Sequence, residues 1–108
     1  MSDKTEYMKL ETEIVQVLKN IFDPEIPINI YDLGLIYRID VDEKTSEVSI
    51  DMTLTAPNCP VADSLVQEVK EKVEAIDDVG KLNFNLVFDP PWNKDMMSEE
   101  AMLELGFL

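Results

Sequence analysis

Val48, Ile50, Met52 and Leu54 alternate without a break with Ser49, Asp51, Thr53 and Thr55. Successive side chains of a strand point to opposite faces, so this run is a strand with one apolar and one polar face. The apolar face must lie under a second layer, whereas the polar face can meet water. Leu35, Tyr37, Ile39 and Val41 alternate in the same way with Arg38, Asp40 and Asp42. The polar DEKTSE segment between the two runs makes them an antiparallel hairpin. A third run, Leu82, Phe84, Leu86 and Phe88, is interleaved with Asn83 and Asn85 and supplies another strand.

The covering layer has a different period. Between Met8 and Phe22, apolar residues fall at Leu10, Ile14, Val17, Leu18 and Ile21, which is helical spacing with one buried stripe. Asp23-Pro24 ends that helix, because proline disfavours helical geometry in the residue before it. Val61, Leu65, Val69, Val73 and Ile76 mark a second helix, with Glu68 and Lys72 paired on its wet side. Near the C-terminus Ser98 caps a short helix, Glu99 and Glu100 sit where the dipole favours acids, and Gly106 stops it. The order is α-β-β-α-β followed by a short α. This predicts an α+β, two-layer sandwich with a small mixed sheet covered by helices on one face. At 108 residues the chain is one domain, with residues 1–7 as a polar, flexible start.

Composition removes many functions. A net charge of −14 opposes binding to nucleic acid or to anionic membrane surfaces. It favours partners that offer basic or neutral surfaces. No run approaches the ~20 apolar residues of a membrane span, and MSDKTEYMK has no apolar core of a signal peptide, so a cytoplasmic location is expected. There is no histidine and one cysteine, Cys59. A Cys-His or Ser-His-Asp apparatus is therefore unavailable, as is an all-cysteine metal site within one chain.

Cys59 sits in TAPNCPVAD, between Pro57 and Pro60. Proline favours the first turn of a helix, which makes Cys59 the N-cap or its neighbour. Free backbone N–H groups and the positive end of the helix dipole there favour thiolate, the form that attacks electrophiles and binds metals. Asp63 and the overall negative charge act against this. The alternative is a buried, inert thiol, which is a common fate for free cysteine. Asp23 and Asp32 likewise have two readings, as acceptors for loop amides or as carboxylates brought near the thiol. Trp92, after Pro90 and Pro91, either packs on the sheet or anchors a partner. Partial packing with one exposed edge is the expectation.

Taken together and in order, DPEIPINIYDLGLI, LTAPNCP and DPPWNKDMMSEEA resemble the SufT/PaaD-like family of small iron–sulfur cluster assembly proteins, from about Leu18 to the C-terminus. The resemblance implies a two-layer α+β fold and a maturation factor of the SUF system type, acting as carrier or adaptor for client iron–sulfur proteins through a reactive cysteine. Carried over residue by residue, Cys59 takes the place of that cysteine. Asp23 and Glu25 fill the Asp-Pro-Glu motif, and Asp32, Leu33 and Gly34 the Asp-Leu-Gly motif. Thr55, Pro57 and Pro60 frame the thiol, and Pro90, Pro91 and Trp92 form a partner loop. Met102 departs from the pattern, where relatives often carry Arg or Lys, which removes a charged contact from the last helix. The expected partners are the assembly machinery and client apo-proteins, with homodimerisation as one way to complete a ligand shell. Any cluster or iron held transiently at Cys59 is expected to be labile, with no other cofactor. The rival functions are a small thiol-dependent enzyme, which lacks an ordinary general base, and an interaction module with a buried, inert cysteine.

Overall fold

A computed structural model of the chain describes residues 3–23, 26–42, 44–55 and 62–106. In chain order the elements are α1 (Asp3–Leu18), β1 (Ile36–Asp42), β2 (Glu47–Met52), α2 (Ala62–Glu74), β3 (Lys81–Leu86), a short 3-10 turn (Lys94–Met96) and α3 (Glu99–Leu105). The expected α+β order is realised. β2 is central, antiparallel to β1 and parallel to β3, so the sheet is mixed.

The core lies where the alternation places it. Val48, Ile50 and Met52 of β2 are buried beneath Leu10, Ile14 and Leu18 of α1 and Leu65, Val69 and Val73 of α2. α1 runs against β1, α2 against β3, and the two helices touch. The other face of the sheet is a polar lattice. Arg38 bridges Asp51 (3.2 Å) and Asp40 (3.4 Å), Asn85 donates to Asp51 (3.1 Å), and Asn83 donates to Glu47. Arg38 opposite Asp51 and Asp40 opposite Ser49 pair opposite and neutral groups across the strands, whereas Asp42 stands opposite Glu47 at the far end. On the outside of α2, Lys72 meets Glu68 at 2.8 Å, as the spacing predicts.

Three details differ from the sequence reading. α1 begins at Asp3, inside the polar start, and ends at Leu18 rather than Phe22. Beyond Leu18 the chain turns through Asn20 N–H to the Val17 carbonyl, and Phe22 then bridges Asn29, so Ile21 enters the core from a turn. In β1, the register slips between Ile36 and Arg38, which makes Tyr37 a bulged residue. Ile36, Ile39 and Val41, opposite Met52, Ile50 and Val48, face the core in place of the Tyr37-Ile39-Val41 set. The bulge re-aims Tyr37, as bulges at sheet edges commonly do. Lastly, β3 ends at Leu86, and Phe88 beyond it is 43% exposed, not core.

Candidate functional site

β1 begins, and β2 and β3 end, at the same end of the sheet, because β1 runs antiparallel to β2 and β3 parallel to it. At that end the Thr53 N–H donates to the Leu35 carbonyl (2.8 Å), and on the other side the Val87 N–H donates to the Met52 carbonyl (2.8 Å). The chain leading into β1, the chain leaving β2 toward Cys59, and the chain leaving β3 toward Trp92 therefore sit side by side. The chain entering β1, the first residues after β2 and the chain leaving β3 thus share one edge of the molecule.

The loop from Phe22 to Leu35 is built from its own side chains. Asp23 is 8% exposed, and its Oδ1 accepts from the Ile26 N–H at 3.0 Å. Asn29 Oδ1 accepts from the Asp32 N–H, and Asn29 Nδ2 donates to Asp32 Oδ2, both at 2.8 Å. This reciprocal pair is the local hydrogen bonding that aspartate and asparagine offer in turns. Asp23 thus holds a backbone amide in place, whereas the Asp32 carboxylate accepts from the Asn29 side chain, which in turn holds the Asp32 amide.

The C-terminal segment then locks onto that loop through main-chain groups. Trp92 Nε1 donates to the Leu33 carbonyl at 2.7 Å, and the Ser98 N–H to the Asp32 carbonyl at 2.8 Å. Gly34, at φ +83°, lies so close to the Met96 carbonyl that an added Cβ would stand 2.3 Å from its oxygen. The bulged Tyr37 donates its hydroxyl to the Pro90 carbonyl (2.7 Å) and approaches Met96 Sδ (3.4 Å). Trp92 is half-buried against the core, as expected, with its polar N–H spent inside the molecule, while Pro90 and Pro91 are exposed. Ser98 caps α3 by accepting from the Ala101 N–H (3.1 Å), and Gly106 closes it at φ +82°. Met102 packs against the core, so its thioether provides contact area on the last helix.

The Asp-Leu-Gly motif and the Pro-Pro-Trp loop are therefore brought together, with Asp23 in the same loop as Asp32. Glu25, Pro57, Cys59 and Pro60 lie outside the described residues, as does the expected N-cap position of Cys59. Thr55 is the last described residue before the cysteine and is half-buried. Among the described residues, no group of three or more carboxylate or thiol side chains is arranged to hold a metal ion. Sequence reasoning missed Tyr37 and Asn29. For Tyr37 a signal existed, since the consecutive apolar residues Leu35, Ile36 and Tyr37 break the alternation that a regular strand needs.

Thr53 was also missed. It is fully buried one residue beyond β2, and its hydroxyl has no hydrogen-bond partner among the described residues. An unsatisfied buried hydroxyl costs ~1–3 kcal/mol, so Thr53→Val, close in shape, should raise stability by about 1 kcal/mol in urea unfolding. A loss of stability instead would show that the hydroxyl has a partner at the base of the cysteine loop.

Comparison with known proteins agrees with this architecture. The family described as iron-sulfur cluster assembly protein matches residues 11–84. A Porphyromonas gingivalis protein named Fe-S protein maturation auxiliary factor is 55% identical over 103 residues, spanning 95% of this chain and 97% of that protein. The Staphylococcus aureus Fe-S protein maturation auxiliary factor SufT is 40% identical, over 80% of this chain and 97% of its own length. Among solved structures, a domain of unknown function, DUF59, from Bacillus anthracis superposes with a TM-score of 0.85 at 31% identity, covering 97% of this chain and 99% of that one.

Proposed function

The chain belongs to the iron–sulfur cluster assembly protein family, and we propose that it acts as a maturation factor, a carrier or adaptor working through Cys59. The observation that supports this reading best is the convergence of three motif-bearing chain segments at one end of the sheet. Two of them are locked together by Trp92, Ser98 and Gly34, so the cysteine loop leaves β2 beside a rigid, preorganised surface. Preorganisation limits the entropy lost when a partner docks. The thiolate of Cys59 contacts iron, sulfide or a partner's thiol in passing, while the surrounding loops hold the assembly machinery or the client apo-protein. The role is that of an assembly factor, not a catalyst, and its place is the cytoplasm. No helix of the described residues is long and apolar enough to cross a membrane.

A cluster is cargo in this scheme. Each chain brings one thiol and no imidazole, whereas all-cysteine clusters take four thiolates. The shell must then be completed by a second copy, a partner or a small thiol. After anaerobic reconstitution, iron and sulfide should be lost on gel filtration in thiol-free buffer and retained when glutathione is present. A cluster held tightly by a strictly monomeric protein in thiol-free buffer would refute the carrier scheme.

A further inference from the structure

A cleft of about 110 Å³ opens between the loop after α1 and the helix α3, lined by Phe22, Ile28, Asn29, Asp32, Glu100, Ala101 and Glu104. Its apolar side includes Phe22, which is 56% exposed although it neighbours the buried Ile21. Its polar side carries three carboxylates and no cation. Glu100 and Glu104 stand one turn apart on α3, and like charges at that spacing weaken a helix. Glu104 also lies in the last turn, where the helix dipole disfavours an anion, and no basic residue occupies that turn. Neither glutamate has an ion-pair partner among the described residues, whereas Glu68 and Asp51 elsewhere do. The chain itself thus leaves this pair of charges uncompensated beside an open aromatic ring.

We propose that this cleft receives an arginine side chain from a partner polypeptide. A guanidinium is planar, permanently charged and weakly hydrated, so it stacks on an aromatic face while donating to carboxylates. Phe22 supplies the face, and Glu100 and Glu104 the acceptors. Asp32 is already engaged with Asn29 and adds negative potential at the rim. The volume suits one extended side chain, so the cleft reads a single basic residue on a docking segment. It adjoins the surface assigned to machinery or client docking through Asp32, whose carbonyl is held by the first residues of the α3 cap. The inference rests on the maturation role only for why such a partner arrives.

The test uses a blocked peptide, acetyl-Gly-Leu-Arg-Gly-amide, and its citrulline counterpart, titrated into the ¹⁵N-labelled protein at low salt. The arginine peptide should shift the amides of Phe22, Asn29, Glu100 and Glu104 with millimolar affinity, and the citrulline peptide should not. Glu100→Gln/Glu104→Gln should weaken binding about fivefold or more, in line with the coupling of charged contacts at interfaces. These exposed substitutions remove a repulsion and keep the fold, and Phe22→Ala should act in the same direction. Shifts spread over the open sheet face, equal binding of both peptides, or unchanged affinity in the glutamine variant would each overturn the assignment. No cluster is involved in the measurement, so its failure leaves the maturation role standing, and failure of the carrier scheme leaves the cleft standing.

Discussion

Gly34→Ala should be among the most damaging single-methyl additions in this chain, costing about 3–5 kcal/mol of stability, at the top of the range for point substitutions. Two effects combine. A residue with a Cβ pays ~1–2 kcal/mol to hold a left-handed conformation, and Gly34 sits at φ +83°. The new methyl would also stand 2.3 Å from the Met96 carbonyl oxygen, and backbone cannot move aside as a flexible side chain can. Gly106 provides the control, because it has nearly the same φ (+82°) but nothing within 4 Å of an added Cβ. Gly106→Ala should therefore show only the conformational part, about 1–2 kcal/mol. Denaturant unfolding of both variants measures the difference. The single tryptophan reports the cause, since prising Met96 from Gly34 should release Trp92 from the Leu33 carbonyl and redden its emission. Equal losses at the two glycines would show that the C-terminal segment is not clamped on the Asp-Leu-Gly turn.

Cys59→Ser should have the largest effect on function with little effect on folding. Serine accepts from helix N-terminal amides at least as well as cysteine, so stability should hold or rise by a few tenths of a kcal/mol, within the range of capping effects. Its hydroxyl does not ionise near neutral pH and cannot replace a thiolate toward iron, sulfide or disulfide. Maturation of client proteins in a complementation assay should fall to the level of a strain without the gene, while the melting temperature stays in place. A stable variant that matures clients normally would reduce Cys59 to a cap. A variant that unfolds would assign the sulfur to packing and remove the reactive-thiol reading.

How much of this was legible in the sequence depends on the kind of contact. Alternation in β2 and helical spacing in α1 and α2 identified the buried residues, because burial of apolar side chains is what those periods record. The caps at Ser98 and Gly106 were legible because each depends on one residue's own chemistry, a hydroxyl at Ser98 and the lack of a Cβ at Gly106. The assembly of the site was only partly so. Trp92 meets the Leu33 carbonyl, Ser98 the Asp32 carbonyl and Gly34 the Met96 carbonyl, and a carbonyl is present at every residue. No pattern marks the one that will be used. The consecutive apolar residues Leu35, Ile36 and Tyr37 mark an irregular strand, but nothing in them says that Tyr37 is the bulged one. Asp23 and Asp32 could be read two ways, and in the structure both brace their own loop.

The bonds between Trp92 and Leu33, and between Ser98 and Asp32, also set an order in time. A polypeptide emerges from the ribosome N-terminus first, and segments fold as their partners become available. The hairpin of β1 and β2 can pair early, but the turn at residues 29–35 waits for Trp92 and Ser98, which are among the later residues to be made. A half-synthesised chain would therefore expose the segment leading to its thiol with no finished surface beside it. The turn at residues 29–35 thus reaches its final packing only once the residues of the α3 cap have been made.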